Sequence, residues 1–288
     1  MGHPQTGAYC GAVPTVNPPV DSLAPVLHTG EDDWTGTFPG LGTVVVAPDG
    51  ACRVSDAASA DAHRALLHGW AELLSWARRG FRLVRGASIG PADDARAILL
   101  LGDPHDVTIA VLSLSRRGWL VLSDSPSPAN WMADQLLAHP RPAPILVSER
   151  RAAKAQVSGE LIRSDSDVLA VALPRCEQAR PVAAVVRITM RKPGESSFSA
   201  LTGHNRFEAA TRVFLGGVLN LDDADTGPDL LAHHLRLAQL PFGHLRLDSS
   251  AAATVDQELN ATESVADPLD ADPIAALLAW WDEVKAQS

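Results

Sequence analysis

The sequence predicts an α/β fold in which helices flank a central mixed sheet. Two short apolar runs, AILLLG (97–102) and WLVLSD (119–124), have the near-continuous hydrophobicity of strands that are buried on both faces. The segment between them, VTIAVLSLSRRG (107–118), has the composition of a short helix and ends at Gly118. A strand, a helix and a second strand are therefore expected at the centre of the domain.

The residues before this unit predict an arm, a hairpin, a helix and a further strand. Residues 1–25 are rich in Pro and Gly without a repeat, which favours a flexible arm. GTVVVAPDGACRV (42–54) contains a β-branched run and a Pro-Asp-Gly turn, and it predicts a hairpin. Apolar residues then recur at helical spacing from Asp61, the expected cap, to Arg79, before the stop signal Gly80. FRLVRGASIG (81–90) is apolar enough for a strand.

The rest of the chain adds further strands and helices. SPSPANW (125–131) is expected to leave the sheet, because proline cannot donate a ladder hydrogen bond. Strands are predicted over 168–173 and 182–190, a helix over 205–219, and a last strand over 244–248. These elements place one α/β domain over 26–250, an acidic linker over 251–273 and an amphipathic docking helix over 274–288.

Composition excludes several classes of function. The net charge of −10 argues against a general nucleic-acid or anionic-membrane binder, because such binding depends on a basic surface. Three widely spaced cysteines form no metal-ligand pair, and they fit reduced thiols in the cytoplasm. No apolar run is long enough for a membrane span, and the N-terminus lacks the features of a signal peptide. A cytoplasmic protein is therefore expected.

The central strand–loop–helix is the setting of a phosphate-binding loop. Such a loop uses successive backbone N–H groups, a helix N-terminus and a lysine, in the pattern glycine, four residues, then Gly-Lys-Ser/Thr. Counting from Gly102 places Val107 and Thr108 where glycine and lysine should stand, and the three lysines lie far away, at positions 154, 192 and 285. The sequence thus predicts a degenerate phosphate loop, formed by Gly102, Asp103, Pro104, His105, Asp106, Val107 and Thr108.

The segment ILLLG-DPHDVT-IAVLSLSRRGWLVLSD (98–124) resembles the nucleotide-binding core of the HPr serine kinase/phosphorylase family. The resemblance extends over roughly residues 40–250, and it implies an HPr-kinase-like P-loop domain. In that family the strand after the helix ends in an Asp-Asp pair, which orients the nucleophile and holds magnesium. Asp124 matches the first member of the pair, Ser125 replaces the second, and Arg85 stands where relatives usually have a histidine.

These departures predict that the chain does not bind ATP productively. Asp103 and Asp106 would lie beside a triphosphate and repel it by on the order of 1 kcal/mol or more each. Each lost charge-assisted phosphate contact costs a further ~1.5–3 kcal/mol. No cofactor is therefore expected; ATP and Mg²⁺ would be needed only if the chain were active, with Asp124 and His105 as the catalytic residues.

Three functions remain open at this point. The first is a catalytically degenerate HPr-kinase-like accessory, scaffold or regulatory subunit in a bacterial peptide- or metabolite-modifying pathway. Its partner would be itself, an active kinase-like relative or a biosynthetic enzyme, with the N-terminal arm or Trp280 and Trp281 as contact. The second is a divergent ATP-dependent phosphotransferase acting on a hydroxyl of a small molecule or a peptide serine.

The third function is an enzyme or metal-binding protein that reuses the vacated cleft. It would require Asp103, His105, Asp106 and Asp124 to converge, because two carboxylates and an imidazole suit a divalent metal or acid–base chemistry. The simpler interpretation is that these polar residues face water, and no metal site is predicted. Arg85, Arg116 and Arg117 could replace the missing lysine as phosphate ligands. For Arg116 and Arg117, which come at the end of a helix, helix-dipole effects and solvation are the simpler explanation.

Overall fold

The computed structural model describes residues 26–141, 145–148, 160–161, 168–191, 195–214, 228–248 and 272–287. The predicted arm (1–25) and most of the predicted acidic linker lie outside these residues. The chain divides into two compact units, Met1–Arg79 and Gly80–Ser288. The domain boundaries drawn from the sequence remain a prediction.

Unit 1 is a four-stranded antiparallel sheet followed by a helical segment. Its strands are β1 (Val26–His28), β2 (Trp34–Phe38), β3 (Gly42–Val46) and β4 (Cys52–Ser55), in the order β1-β2-β3-β4. The predicted hairpin is confirmed as β3 and β4, because Val46 pairs with Cys52 across the turn.

The predicted long helix of unit 1 is interrupted by a π-helical turn. It consists of α1 (Ala60–Ala65), the π-helical segment Leu66–Ala71 and α2 (Glu72–Arg78). Ser59 caps it, with Oγ accepting a hydrogen bond from the Ala62 N–H at 3.0 Å, so the expectation that Asp61 is the cap is wrong. Leu66 and Leu74 are fully buried against the sheet in the hydrophobic core of this unit.

Unit 2 is built on a large mixed sheet. Its strands are β5 (Arg82–Val84), β6 (Gly86–Pro91), β7 (Ala97–Leu101), β8 (Trp119–Ser123), β9 (Ser127–Met132), β10 (Gln135–Ala138), β14 (Arg180–Arg191), β15 (Ser197–Leu201) and β16 (Phe242–Asp248). A smaller sheet contains β11 (Ile145–Ser148), β12 (Glu160–Leu161) and β13 (Val168–Val171). The predicted α/β fold with a mixed central sheet is confirmed in this coarse form.

Strand β14 joins the two halves of the large sheet. Along one side it pairs in parallel with β7. Along the other it pairs first with β10, at its start, and then in parallel with β16 from Val185 to Arg191. Strand β15 pairs antiparallel with β16, while β6 lies antiparallel between β7 and β8. The carboxyl ends of β7, β8, β14 and β16 consequently point the same way.

Helices cover both faces of this sheet. Helix α3 (Pro104–Arg116) and the C-terminal helix α6 (Pro273–Gln287) pack on one face, where Trp119 and Trp281 meet with ring centroids 5.6 Å apart. The opposite face packs against α4 (Gly203–Ala210) and α5 (Pro228–Leu237). The buried apolar side chains of β7 and β14 alternate between these two cores.

Several sequence-based boundaries differ from the structure. Helix α3 begins at Pro104 rather than at residue 107, because Asp103 provides a cap that the apolar pattern does not reveal. Strand β9 (Ser127–Met132) lies within the sheet, although the segment SPSPANW (125–131) was expected to leave it. Pro128 lacks an N–H, but its carbonyl still accepts the His139 N–H at 2.9 Å. Helix α4 ends at Ala210, well before residue 219. In the part of the chain with described positions, no helix is long and apolar enough to cross a membrane.

Candidate functional site

The segment predicted to be a degenerate phosphate loop is a tight turn. Strand β7 ends at Leu101 and α3 begins at Pro104, so only Gly102 and Asp103 separate the strand from the helix. A Cβ atom on Gly102 would lie 2.6 Å from the Ile188 carbonyl oxygen, which shows how closely this turn approaches β14. A phosphate loop instead needs several consecutive residues whose N–H groups surround the anion.

The N–H groups at the start of α3 bond within the turn itself. The Asp103 carboxylate accepts the His105 N–H at 2.9 Å, and the Asp103 carbonyl accepts the N–H groups of Asp106 and Val107, both at 3.0 Å. Pro104 has no N–H to offer. The helix terminus therefore carries its own negative charge where an anion would otherwise bind.

Asp106 is held against the sheet rather than aimed at solvent. Strand β7 stops pairing with β14 at Arg187, so the residues of β14 beyond that point need another backbone partner on this side. The Asp106 carboxylate supplies one by accepting the Met190 N–H at 3.2 Å. This contact fixes the first turn of α3 to the end of β14.

Thr108 is also used by the helix. It is buried, and its hydroxyl donates to the Pro104 carbonyl at 2.8 Å, which is an internal helix bond. His105 is exposed, as are Asp103 and Pro104. The predicted loop residues thus lie together, but in a capped helix start rather than around an open cradle.

Asp124 lies at the end of β8, on the far side of β6 from this turn. Its carboxylate accepts the N–H of Ser125 at 2.8 Å. Burial raises the pKa of the Asp124 carboxyl above its ordinary value, while the Ser125 N–H and the positive charges of Arg141 and Arg175 oppose the rise. Arg175 also donates to the Arg141 carbonyl at 2.6 Å. Asp124 therefore lies within the electrostatic influence of two arginines.

The four residues that could have held a metal do not come together. Asp103, Asp106 and Asp124 each have the separate roles given above, and two strand spacings of ~4.8 Å separate β8 from β7. Among the residues with described positions, no three His, Cys, Asp or Glu side chains form a group that could hold a metal ion.

Two of the three arginines considered as lysine substitutes lie at the opposite end of α3 from the turn. Arg117 forms an ion pair with Asp272 at 2.7 Å, and Asp272 caps α6 by accepting the Ile274 N–H at 2.9 Å. Arg116 is the last residue of α3. Arg85 precedes Gly86, which pairs with Leu101, so its backbone lies beside the turn, and the residue is exposed. In the described structure, Arg117 therefore attaches the C-terminal helix and does not contribute to the turn at 102–103.

A second group of polar residues, which the sequence analysis did not identify, lies on the sheet. Side chains of β14, β16 and β15 alternate between the two faces, and the face that carries Val185, Phe242 and Leu201 continues beyond the apolar core as a polar surface. We call this surface the arginine face; by strand register and alternation it consists of Arg187, Thr189, Arg191, Ser197, Ser199, His244, Arg246 and Asp248.

Strand register sets the layout of the arginine face. Arg187 lies opposite His244, and Thr189 lies opposite Arg246. Ser199 and Ser197 of β15 extend these two rows, because they pair with His244 and Arg246. Arg191 and Arg246 are exposed, Arg187 is half-buried, and none of the three forms an ion pair with a described side chain.

His244 lies buried within the arginine face. Its Nε2 is 2.9 Å from the Thr189 hydroxyl. Burial, together with the neighbouring positive charges of Arg246, Arg187 and Arg191, lowers the pKa of His244 to about 4. His244 is therefore neutral near neutral pH, and the arginines give the face its positive charge. Alternating polar residues in RITMR (187–191) and HLR (244–246) are the only sequence signal of this surface.

Comparison with known proteins adds little to this geometry. No family model matches the chain, and no curated protein sequence matches it. Among solved structures it is similar to the HPr(Ser) kinase/phosphatase from Coxiella burnetii, at 9% identity over 62% of this chain and 93% of that chain, with a TM-score of 0.28. That match indicates a distant resemblance in fold at most, and no residue role is transferred from it.

Proposed function

We propose that this chain is a catalytically degenerate, HPr-kinase-like α/β protein that acts by binding a partner, as an accessory or scaffold subunit. The pathway that we propose for it modifies a peptide or a metabolite in a bacterium. The observation that carries the proposal is the closed N-terminus of α3. Its N–H groups donate to Asp103, and the Asp106 carboxylate accepts the Met190 N–H of β14.

Electrostatics supports the same conclusion. A triphosphate placed at this terminus would meet the exposed Asp103 carboxylate, and the turn offers no lysine. Binding would require both the loss of the helix cap, at about 1 kcal/mol, and the approach of like charges. The carboxylate of Asp124, which would have to orient a nucleophile, instead accepts the Ser125 N–H near the positive charges of Arg141 and Arg175.

ATP binding is the direct test of this proposal. The full chain is titrated with ATP and Mg²⁺ by calorimetry and thermal unfolding, and ADP formation is followed over hours. We expect no saturable heat, no rise in melting temperature at millimolar nucleotide and no turnover, because a ligand stabilises only a fold that binds it.

The Thr108→Val variant is the control that locates any binding. Its side chain has nearly the same shape, but it lacks the hydroxyl that a phosphate loop would use. Micromolar ATP binding that Thr108→Val abolishes would overturn the proposal in favour of a divergent phosphotransferase. ATP binding that the substitution leaves unchanged would place the nucleotide elsewhere and, without turnover, would leave a non-catalytic role standing.

Complementation of a gene deletion in cells is a second test of the proposed binding role. His105 is exposed and is the one imidazole of the turn, so a catalytic site there would depend on it. A His105→Ala chain should restore the phenotype of a gene deletion as fully as the wild-type chain does. Loss of that restoration by a folded variant present at normal level would point to chemistry at the turn.

A further inference from the structure

The arginine face has an excess of positive charge, with three arginines and one aspartate. The aspartate is at position 248, opposite Arg191 in the strand register. The face carries three guanidinium groups, whereas the chain as a whole has a net charge of −10. A concentration of positive charge on an acidic protein attracts an anionic partner and rejects a basic one.

The spacing of the arginines decides the size of that partner. Arg187 and Arg191 are four residues apart on one strand, so their Cα atoms are separated by roughly 13 Å. Arg246 lies one strand away, opposite the midpoint of this interval at Thr189. This spacing allows each arginine to bind a separate carboxylate. It fits carboxylates that are distributed along an extended chain.

The remaining groups of the face suit a polypeptide backbone. Thr189, Ser197 and Ser199 offer hydroxyl groups, which can donate to carbonyls or accept from N–H groups. The two serines lie on β15, which pairs only with β16 among the strands that the structure describes. Arg191, Arg246 and Ser199 are exposed, so a long segment can reach the face without entering a cavity.

We propose that the arginine face binds an extended acidic segment of a protein partner, with its carboxylates distributed over Arg187, Arg191 and Arg246. This inference rests on the proposed binding role and names the surface and the chemistry of the partner. It does not use the turn at 102–103, and its test contains no nucleotide. Failure here would therefore leave the ATP result intact, and the reverse also holds.

The test uses fluorescence anisotropy with the full chain and three labelled peptides of equal length. The first has glutamate at alternate positions, and the others carry glutamine or lysine there. We expect the glutamate peptide to bind at low ionic strength, roughly tenfold or more tighter than the glutamine peptide, and to weaken as salt is added. The lysine peptide should not bind.

Two arginine variants locate the binding. Arg191→Gln and Arg246→Gln replace exposed side chains, so we expect both to fold, and each should weaken the glutamate peptide roughly tenfold. Arg85→Gln is the matched control, because it removes the same charge from an exposed position off the face. Equal affinity in all three variants, or an equal loss in all three, would overturn the proposal.

Binding to the unsubstituted protein gives an independent readout at His244. Carboxylates arriving beside Arg187 and Arg246 should raise the pKa of His244 from about 4, which histidine ring NMR measures during titration with the glutamate peptide. A shift confined to other histidines would contradict the assignment. Saturation by inorganic phosphate without peptide binding would make the face a small-anion site and sink the proposal. Absence of any peptide binding would sink it as well.

Discussion

Individual side chains at the start of α3 decide what that helix terminus can bind. A helix N-terminus presents several N–H groups and a partial positive charge, and these attract whichever anion is available. In this chain the anion is the Asp103 carboxylate, which is covalently part of the turn. Because Asp103 is tethered, a free phosphate has to compete with an effectively permanent ligand.

Removing the Asp103 cap should therefore destabilise unit 2. We expect Asp103→Ala to lower the free energy of unfolding by about 1 kcal/mol, because the His105 N–H loses its acceptor. Urea unfolding followed by circular dichroism measures the loss. Asp103→Ser keeps an acceptor and should recover most of the stability; equal stability of Asp103→Ala and wild type would show that the cap contributes nothing.

His244 should make stability depend on pH. Its folded pKa of about 4 lies below the ordinary 6.5, so the unfolded chain binds the proton first as the pH falls. The free energy of unfolding should therefore decrease from pH 6.5 to about 4, by up to about 3 kcal/mol from this residue. Urea unfolding of His244→Gln across this window should show a correspondingly shallower decline. Parallel profiles for variant and wild type would contradict this assignment.

At the scale of elements, the C-terminal helix is attached by an ion pair at its start, by Arg96 over the Trp281 ring and by a buried apolar face. Asp272 receives both Arg117 from the end of α3 and the first N–H groups of α6. Ile274, Leu277, Trp281 and Val284 are buried on the same side of the helix. The ion pair is partly exposed, so most of the attachment should come from the apolar residues.

Substitutions at this contact should have unequal effects. Asp272→Ala should cost roughly 1–2 kcal/mol, because it removes a helix cap as well as a charge, whereas Arg117→Ala should cost about 0.5–1 kcal/mol. A double-mutant cycle by urea unfolding gives the coupling between them. Asp272→Asn retains a cap and separates the two contributions; a coupling of zero would mean that the ion pair is not stabilising.

At the scale of the whole molecule, the chain forms two units with separate hydrophobic cores. Unit 1 is organised around Phe38, Leu66 and Leu74, and unit 2 around the two faces of its large sheet. A change confined to one core should therefore act first on the unit that contains it.

Leu74 provides a test of this separation. Leu74→Ala removes a fully buried side chain and should destabilise unit 1 by ~2–5 kcal/mol. Hydrogen exchange resolved by peptide should accelerate over residues 60–78 and remain unchanged over 97–116. Leu67→Ala, in the same helical segment but exposed, should change neither region. Equal acceleration in both regions would show that the chain unfolds as one unit.

The sequence by itself determined the strands that consist almost entirely of apolar residues. AILLL (97–101), WLVLS (119–123) and the core of β14 are apolar throughout, and hydrophobicity of this kind admits few other placements. The sequence also showed that the turn after β7 lacks a phosphate loop's glycine and lysine. It did not show where α3 begins, because an N-cap depends on a single side chain and not on a periodic pattern.

Only the tertiary structure decided which polar residues meet. Arg187, Ser199 and Arg246 are distant in the sequence, and they share a surface because β14, β16 and β15 pair in one particular register. A shift of one residue would move each side chain to the opposite face. Register depends on long-range packing, which local composition does not encode, so the arginine face becomes visible only once the sheet is assembled.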